Sequence, residues 1–215
     1  MALAWGLKNA AQQGGNPRRV FVMGHSAGAY NAAMLALDPR WLAATGQAPR
    51  DLAGFIGLAG PYDFLPMTNR DAQPVFFHPD YPPDTQPMAF AGPQAPRSFL
   101  AAGASDNLVD PERNTATLAT RLKAAGVAVT VQRYERANHV TLIGAFGLPL
   151  RWLAPVLDDV SKFVLEAPPA SGQTPRQVAG QARSGLVEAG LDAQAAQVHG
   201  LQSGIAARVD AGEGR

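Results

Sequence analysis

The sequence predicts an α/β protein, a mostly parallel sheet flanked by helices. Short apolar runs at 20–23, 55–59 and 98–102 are rich in strand formers and too brief for buried helices, and each ends in turn chemistry built on glycine. Helical patterns lie between and beyond them. The order is helix, strand, helix, strand, a long excursion, then strand, helix, strand, helix. Parallel strands need such crossovers, and the crossovers place helices on both faces of the sheet.

At 215 residues the chain can hold one sizeable domain, or a smaller domain and a tail. Eighteen Lys and Arg against 17 Asp and Glu leave a net charge of +1, which gives no electrostatic footprint for nucleic acid. Without cysteine there is no disulfide framework, no thiolate nucleophile and no Cys-ligated metal. No apolar run approaches membrane-spanning length. The opening residues, Met1-Ala-Leu-Ala-Trp5-Gly-Leu-Lys8, lack the charged start and long apolar core of a signal peptide, so the default expectation is a cytoplasmic protein.

Residues 2–13 read as a short helix, with Leu3, Leu7 and Ala11 on one face, Trp5 beside them, and Gly14-Gly15-Asn16-Pro17 as its stop. Val20-Phe-Val-Met23 is a buried strand, and an Ala-rich run to Leu37, broken at Asp38-Pro39, is the next helix. Phe55-Ile-Gly-Leu-Ala59 is the second buried strand, closing at Gly60-Pro61. Over 60–93 regularity stops. This stretch holds eight prolines and the aromatics Tyr62, Phe64, Phe76, Phe77, Tyr81 and Phe90. So long a connection inside a compact domain is usually functional, and its aromatics argue for packing. It reads as a lid or substrate-binding excursion, with Tyr62, Phe76 and Phe77 as candidate contacts to an apolar acyl or aryl group.

The third strand, 98–102, ends at Gly103-Ala-Ser-Asp106. Asp110-Pro111 then opens a helix, Asp as N-cap and Pro at the first helical position. Leu118 and Leu122 share its buried face and Gly126 closes it. Val127, Val129 and Val131 alternate with Ala128, Thr130 and Gln132, the period-two pattern of a half-exposed edge strand. A final helix over 154–165 presents Val156, Leu157, Val160, Phe163 and Val164. Ala167-Pro168-Pro169 marks a boundary, which makes 1–167 the folded domain. The remainder, 168–215, is an Ala/Gly-rich tail. Leu191, Val198 and Ile205 are spaced by seven there, but five glycines weaken any helix, so it reads as disordered or loosely helical.

The chemistry gathers at Gly24-His25-Ser26-Ala27-Gly28. A strand, a turn with glycine on both sides of a serine, and a helix are the context that a nucleophile elbow requires. The serine sits on a strained backbone, and the flanking glycines are expected to allow strand and helix to approach closely. The helix begins at the serine, so its dipole and first N–H groups face any negative charge that develops beside the hydroxyl.

A serine hydroxyl needs a base to take its proton and a carboxylate to orient that base. Of the four histidines, His199 lies in the tail and His78 in the Pro-rich excursion. His25 adjoins the serine but points away from it on the turn, and reads as local packing. His139 alone lies in a loop after a core strand, at the sheet edge where sites of parallel sheets gather. Asp106 directly follows the third strand, in the chain order serine, acid, histidine. Asp110 is better explained as a helix cap, and Glu135 belongs to the strand before His139.

Gly24-His-Ser-Ala-Gly28, Gly60-Pro-Tyr-Asp-Phe64, Gly103-Ala-Ser-Asp106-Asn-Leu-Val109 and Asn138-His139 together resemble the carboxylesterase-type α/β-hydrolase superfamily. They are similar to its esterase, feruloyl-esterase and kynurenine-formamidase-like branches, and the likeness covers 1–166. The resemblance implies Ser26 as nucleophile, His139 as general base then acid, Asp106 as the orienting carboxylate and the Ala27 N–H as one oxyanion donor. It implies hydrolysis of a small-molecule carboxylic ester through an acyl-enzyme, with an aryl formamide as alternative substrate and no metal or cofactor. Members carry further strands before the elbow and a His-Gly-Gly-type loop with more oxyanion donors. Nothing before Val20 corresponds, and Gly14-Gly15 lies in the wrong place. A partial α/β-hydrolase fold with impaired activity is therefore expected. A catalytically inactive fragment that binds or self-associates through an exposed sheet edge stays open as the alternative.

Overall fold

The computed structural model describes residues 2–168 and 170. The chain divides into two units, Met1–Thr174 and Pro175–Arg215, and the description concerns the first. The expected tail at 168–215, apart from 168 and 170, lies outside the described residues.

Four strands, β1 Phe21–His25, β2 Gly54–Leu58, β3 Ser98–Gly103 and β4 Val129–Tyr134, form one parallel sheet in the order β1-β2-β3-β4. Helices α1 Ala2–Asn9, α2 Ala27–Leu37, α3 Pro39–Ala43, α4 Thr117–Ala124, α5 His139–Gly144 and α6 Val156–Glu166 connect and cover them. The α/β class and the parallel crossovers are those expected.

Side chains alternate across the two inner strands, and each face has its own core. Phe55 and Leu100 point into a layer with Leu37, Tyr62, Leu118 and Leu122. Ile56, Leu58 and Phe99 point into the other, with Leu142, Val156 and Phe163. Burial on both faces explains why β2 and β3 read as near-continuous apolar runs. Each fully buried leucine here is worth about 2–5 kcal/mol against alanine.

Several elements differ from expectation, each for a local reason. The first helix ends at Asn9 and tightens into a 3-10 turn, Ala10–Gln13, closed by Gly14 at φ 77. Leu7 is buried, but Ala11 is exposed and Trp5 is 59% exposed. Asp110 caps as read, its Oδ1 accepting from the N–H groups of Glu112 and Arg113, but the first turn is a π-helical segment, Glu112–Ala116, before α4. β1 begins one residue later than read and runs to His25, and none of its residues is fully buried. Among the described residues it pairs on the β2 side alone, which leaves Met23 50% exposed.

The excursion over 60–93 is packed against the domain. Asn114 Oδ1 accepts from the N–H groups of Tyr62 and Asp63 at 2.7 and 2.8 Å. The Tyr30 hydroxyl of α2 donates to the Thr85 carbonyl at 3.0 Å. Tyr30, Phe64 and Phe76 form an edge-to-face cluster with centroids 4.9 to 5.8 Å apart. Tyr62 is a correction. It is fully buried against Phe55, so it is core and not a substrate contact.

The turn from β1 into α2 fixes the site. A Cβ on Gly24 would lie 2.1 Å from the Gly28 carbonyl oxygen, so strand and helix meet there only without a side chain. Gly28 is different. A Cβ there would touch nothing within 4 Å, and its φ is not positive, so the expected steric need for a second glycine is absent. Gly28→Ala should accordingly stabilise the chain by about 0.4–1 kcal/mol through the unfolded state. Gly24→Ala should abolish cooperative unfolding in urea, because backbone atoms would have to move apart. Equal effects of the two substitutions would refute this reading of the turn.

Candidate active site

Ser26 sits at φ 55 and ψ −125, a conformation a non-glycine residue rarely adopts. Hydrogen bonds on both sides hold it there. Its N–H donates to the Leu58 carbonyl at 2.9 Å, and its own carbonyl accepts from the N–H groups of Ala29 and Tyr30. The turn aims the hydroxyl away from the helix axis and toward a histidine. Ser26 Oγ lies 2.8 Å from His139 Nε2, and His139 Nδ1 lies 2.8 Å from Asp106 Oδ2.

Each partner is fixed by its own loop. The Asp106 side chain is fully buried, and its Oδ1 accepts from the N–H groups of Leu108 and Val109 at 3.0 and 2.9 Å. With Oδ1 engaged, Oδ2 is left for the imidazole. A Cβ on Gly103 would fall 2.4 Å from the Ala137 carbonyl oxygen, so the missing side chain lets the acid-bearing loop meet the histidine-bearing loop.

His139 is the first residue of α5, a helix absent from the sequence reading. Asn138 Oδ1 accepts from the N–H groups of Val140 and Thr141, and Thr141 Oγ1 accepts from the Asn138 N–H at 2.8 Å. This capping box pins the backbone on which the imidazole stands. Asn at 138, Thr three positions on and the apolar Val140, Leu142 and Ile143 were the available signal.

His25 does more than pack locally. Its Nε2–H donates to the His139 carbonyl at 2.9 Å, and the two rings lie 4.9 Å apart. Burial, more than any other cause, holds the His25 pKa below the ordinary 6.5. The His139 carbonyl pushes the other way, the His139 ring lowers it further and Asp106 raises it.

Ala27 is the first residue of α2, so its N–H has no intrahelical acceptor. The N–H groups of Gly14 and Gly15 are engaged by the carbonyls of Ala11 and Ala10, as expected of a helix stop. Beside Ala27 opens a cavity of about 800 Å³, walled by Tyr30, Met34, Trp41, Phe76 and Phe77 among others. Phe76 is half-buried in its wall, and Phe77 is 68% exposed at φ 59. Among the described residues no group of three or more His, Asp or Glu converges as a metal site. No helix there is long and apolar enough to cross a membrane.

A parallel sheet, a strained serine between strand and helix, and an acid and histidine in the loops after β3 and β4 define the α/β-hydrolase class. Residues 3–158 match the model of the prolyl oligopeptidase family, and the chain belongs to that family. No curated protein matches it. Among solved structures it is similar to a thermophilic esterase from Thermogutta terrifontis with propionate bound, at 20% identity and a TM-score of 0.58 over 77% of this chain and 62% of that one. It is also similar to an acetyl ester-xyloside bifunctional hydrolase from Caldicellulosiruptor lactoaceticus, at 14% identity and 0.60 over 78% and 64%. A truncated carbohydrate esterase from gut microbiota matches at 16% and 0.56 over 77% and 65%. These identities speak for the fold. The chain spans less than two thirds of the length of each.

A pH prediction follows from His25. Because its pKa is lowered on folding, neutral His25 contributes stability that is intact above the ordinary 6.5 and lost as pH falls below it. Melting temperature should therefore drop between about pH 7 and pH 5, and His25→Gln should shrink that drop. Parallel profiles for the two proteins would show that His25 is not the group responsible.

Proposed function

We propose that this chain is a serine hydrolase that cleaves carboxylic esters through an acyl-enzyme. The observation that carries the reading is the unbroken line Ser26 Oγ, His139 Nε2, His139 Nδ1, Asp106 Oδ2, with both gaps at 2.8 Å. In the proposed cycle His139 Nε2 accepts the Ser26 proton as Oγ attacks the ester carbonyl. The Ala27 N–H meets the oxyanion, backed by the α2 dipole. His139 returns the proton to the leaving alkoxide, and the acyl group stays on Ser26. Water then attacks the acyl group, losing a proton to His139, which passes it to Ser26 Oγ as the Oγ–acyl bond breaks and the acid is released. Asp106 holds the imidazole in the tautomer with hydrogen on Nδ1 and stabilises the imidazolium between steps.

The same groups would serve an aryl formamide, the alternative substrate, or the peptide bond that the family's name suggests. The solved relatives are described as esterases, and esters lose their alkoxide more readily than amides lose an amine, so esters come first. Ser26→Ala should abolish both fluorophosphonate labelling and p-nitrophenyl acetate turnover while far-UV circular dichroism stays unchanged. His139→Ala should cost turnover about as much, at least roughly 10³-fold, because residues that act as a unit lose their effect together. Labelling at another residue, or turnover that survives His139→Ala, would sink the assignment.

The outer edge of β1 supports a second reading, a binding or self-associating module. Among the described residues its N–H and C=O groups on that side have no strand partner, and Met23 is half exposed. Such an edge is a template for another chain. Met23→Lys should lower the sedimenting mass without changing labelling at Ser26. A monomer before and after the substitution would remove this reading.

A further inference from the structure

The cavity beside Ala27 has apolar walls and one cation, Arg40. That cation is 56% exposed but already paired with two carboxylates. Arg40 Nε and Nη2 bind Asp38, with Nη2 at 2.7 Å from Oδ2, and Nη1 binds Asp84 Oδ2. The Asp38 side chain is fully buried, terminates α2 and caps α3 through the Arg40 N–H. Asp84 comes from the excursion and stands at the cavity rim, 45% exposed. One guanidinium thus faces two carboxylates, Asp84 at the rim and Asp38 buried behind it, and the three groups together carry a net negative charge. Arg40 also lies over the Phe90 ring at 5.1 Å, which fixes the guanidinium plane further. The remaining polar wall groups include the Tyr30 hydroxyl, already donating to Thr85, and the neutral Asn31, which is exposed.

We propose that this cavity selects the uncharged or cationic apolar part of a substrate, a neutral aryl group above all, and rejects one bearing a carboxylate, with Asp84 as the residue that sets the selection. The proposal rests on Ser26 as the nucleophile, since the cavity begins at the next residue. Tyr30 and Phe76 meet edge to face in the cavity wall and Trp41 is 55% exposed, and such aromatic walls suit a flat apolar group. A ligand carboxylate would compete with Asp38 and Asp84 for Arg40 and would sit near an uncompensated negative charge. A unit charge held roughly 7 Å away discriminates by about 3- to 50-fold between watery and protein-like dielectric.

The test uses binding, so that it does not depend on turnover. In the Ser26→Ala chain, Trp41 fluorescence is titrated with ethyl benzoate and with monoethyl terephthalate, the same ring carrying a carboxylate; Trp41→Phe identifies the signal. The neutral ester should bind about tenfold more tightly. Added salt should narrow the gap, because Asp84 is exposed. Asp84→Asn frees Nη1 and removes the excess charge, so the gap should close to within about threefold. Equal binding of the two esters, no binding of either, or a gap untouched by both salt and Asp84→Asn would overturn the proposal. Fluorophosphonate labelling of the chain with Ser26 intact judges the hydrolase reading separately. Charge-selective binding without labelling keeps the cavity and removes the nucleophile, and labelling with indifferent binding does the reverse.

Discussion

Everything in the site depends on the contact between β1 and α2 at Gly24. Only there does the chain come so close that one added carbon would strike the Gly28 carbonyl. That approach lets the backbone reverse within the turn and forces Ser26 to a positive φ, at a cost of about 1–3 kcal/mol. Three backbone hydrogen bonds to Ser26 offset the strain, one from the sheet side and two from the helix side. The Ser26 backbone is therefore held by the fold, and the contact with His139 Nε2 orients the hydroxyl.

The other two members reach the serine by the same device used differently. Gly103 removes a side chain where β3 passes the loop after β4, so Asp106 and His139 enter from adjacent loops without a gap between them. His25 then links the strand that precedes Ser26 to the His139 carbonyl. Strand order sets this convergence. β1, β3 and β4 all end at the same edge of a parallel sheet, and the two loops and the elbow open on one side.

Much of this was legible in the sequence, for reasons that are physical and uneven. Inner strands such as Phe55-Ile-Gly-Leu are apolar on both faces, a strong signal, and the elbow carries its glycines and serine in adjacent positions. Asp106 and His139 were legible because chain order and loop position constrain them together. α3 and α5 were not, since five and six residues are too few to show a helical period. Tyr62 misled because a loop aromatic looks like a ligand contact. Its true role was written in Gly57 and Gly60, where a Cβ would lie 2.0 Å and 2.4 Å from the tyrosine ring and hydroxyl atoms. Gly28 misled in the opposite sense, by matching a motif whose steric reason does not operate at this position.

The position of β1 at the edge of the described sheet sharpens the relation between stability and chemistry. The strand that leads into the strained residue has no fully buried position, unlike β2 and β3, and on the described residues it is supported laterally by β2 alone. Strain persists only where the surroundings over-determine it. The supports here are the β2 pairing, the Ala-rich face of α2 and the bridges from His25 and Ser26 to His139. Local opening of β1 would release the serine before it touched the cores built on β2 and β3. The geometry around Ser26 is therefore more fragile than the two cores, and conditions that leave β2 and β3 packed can still disperse the three side chains.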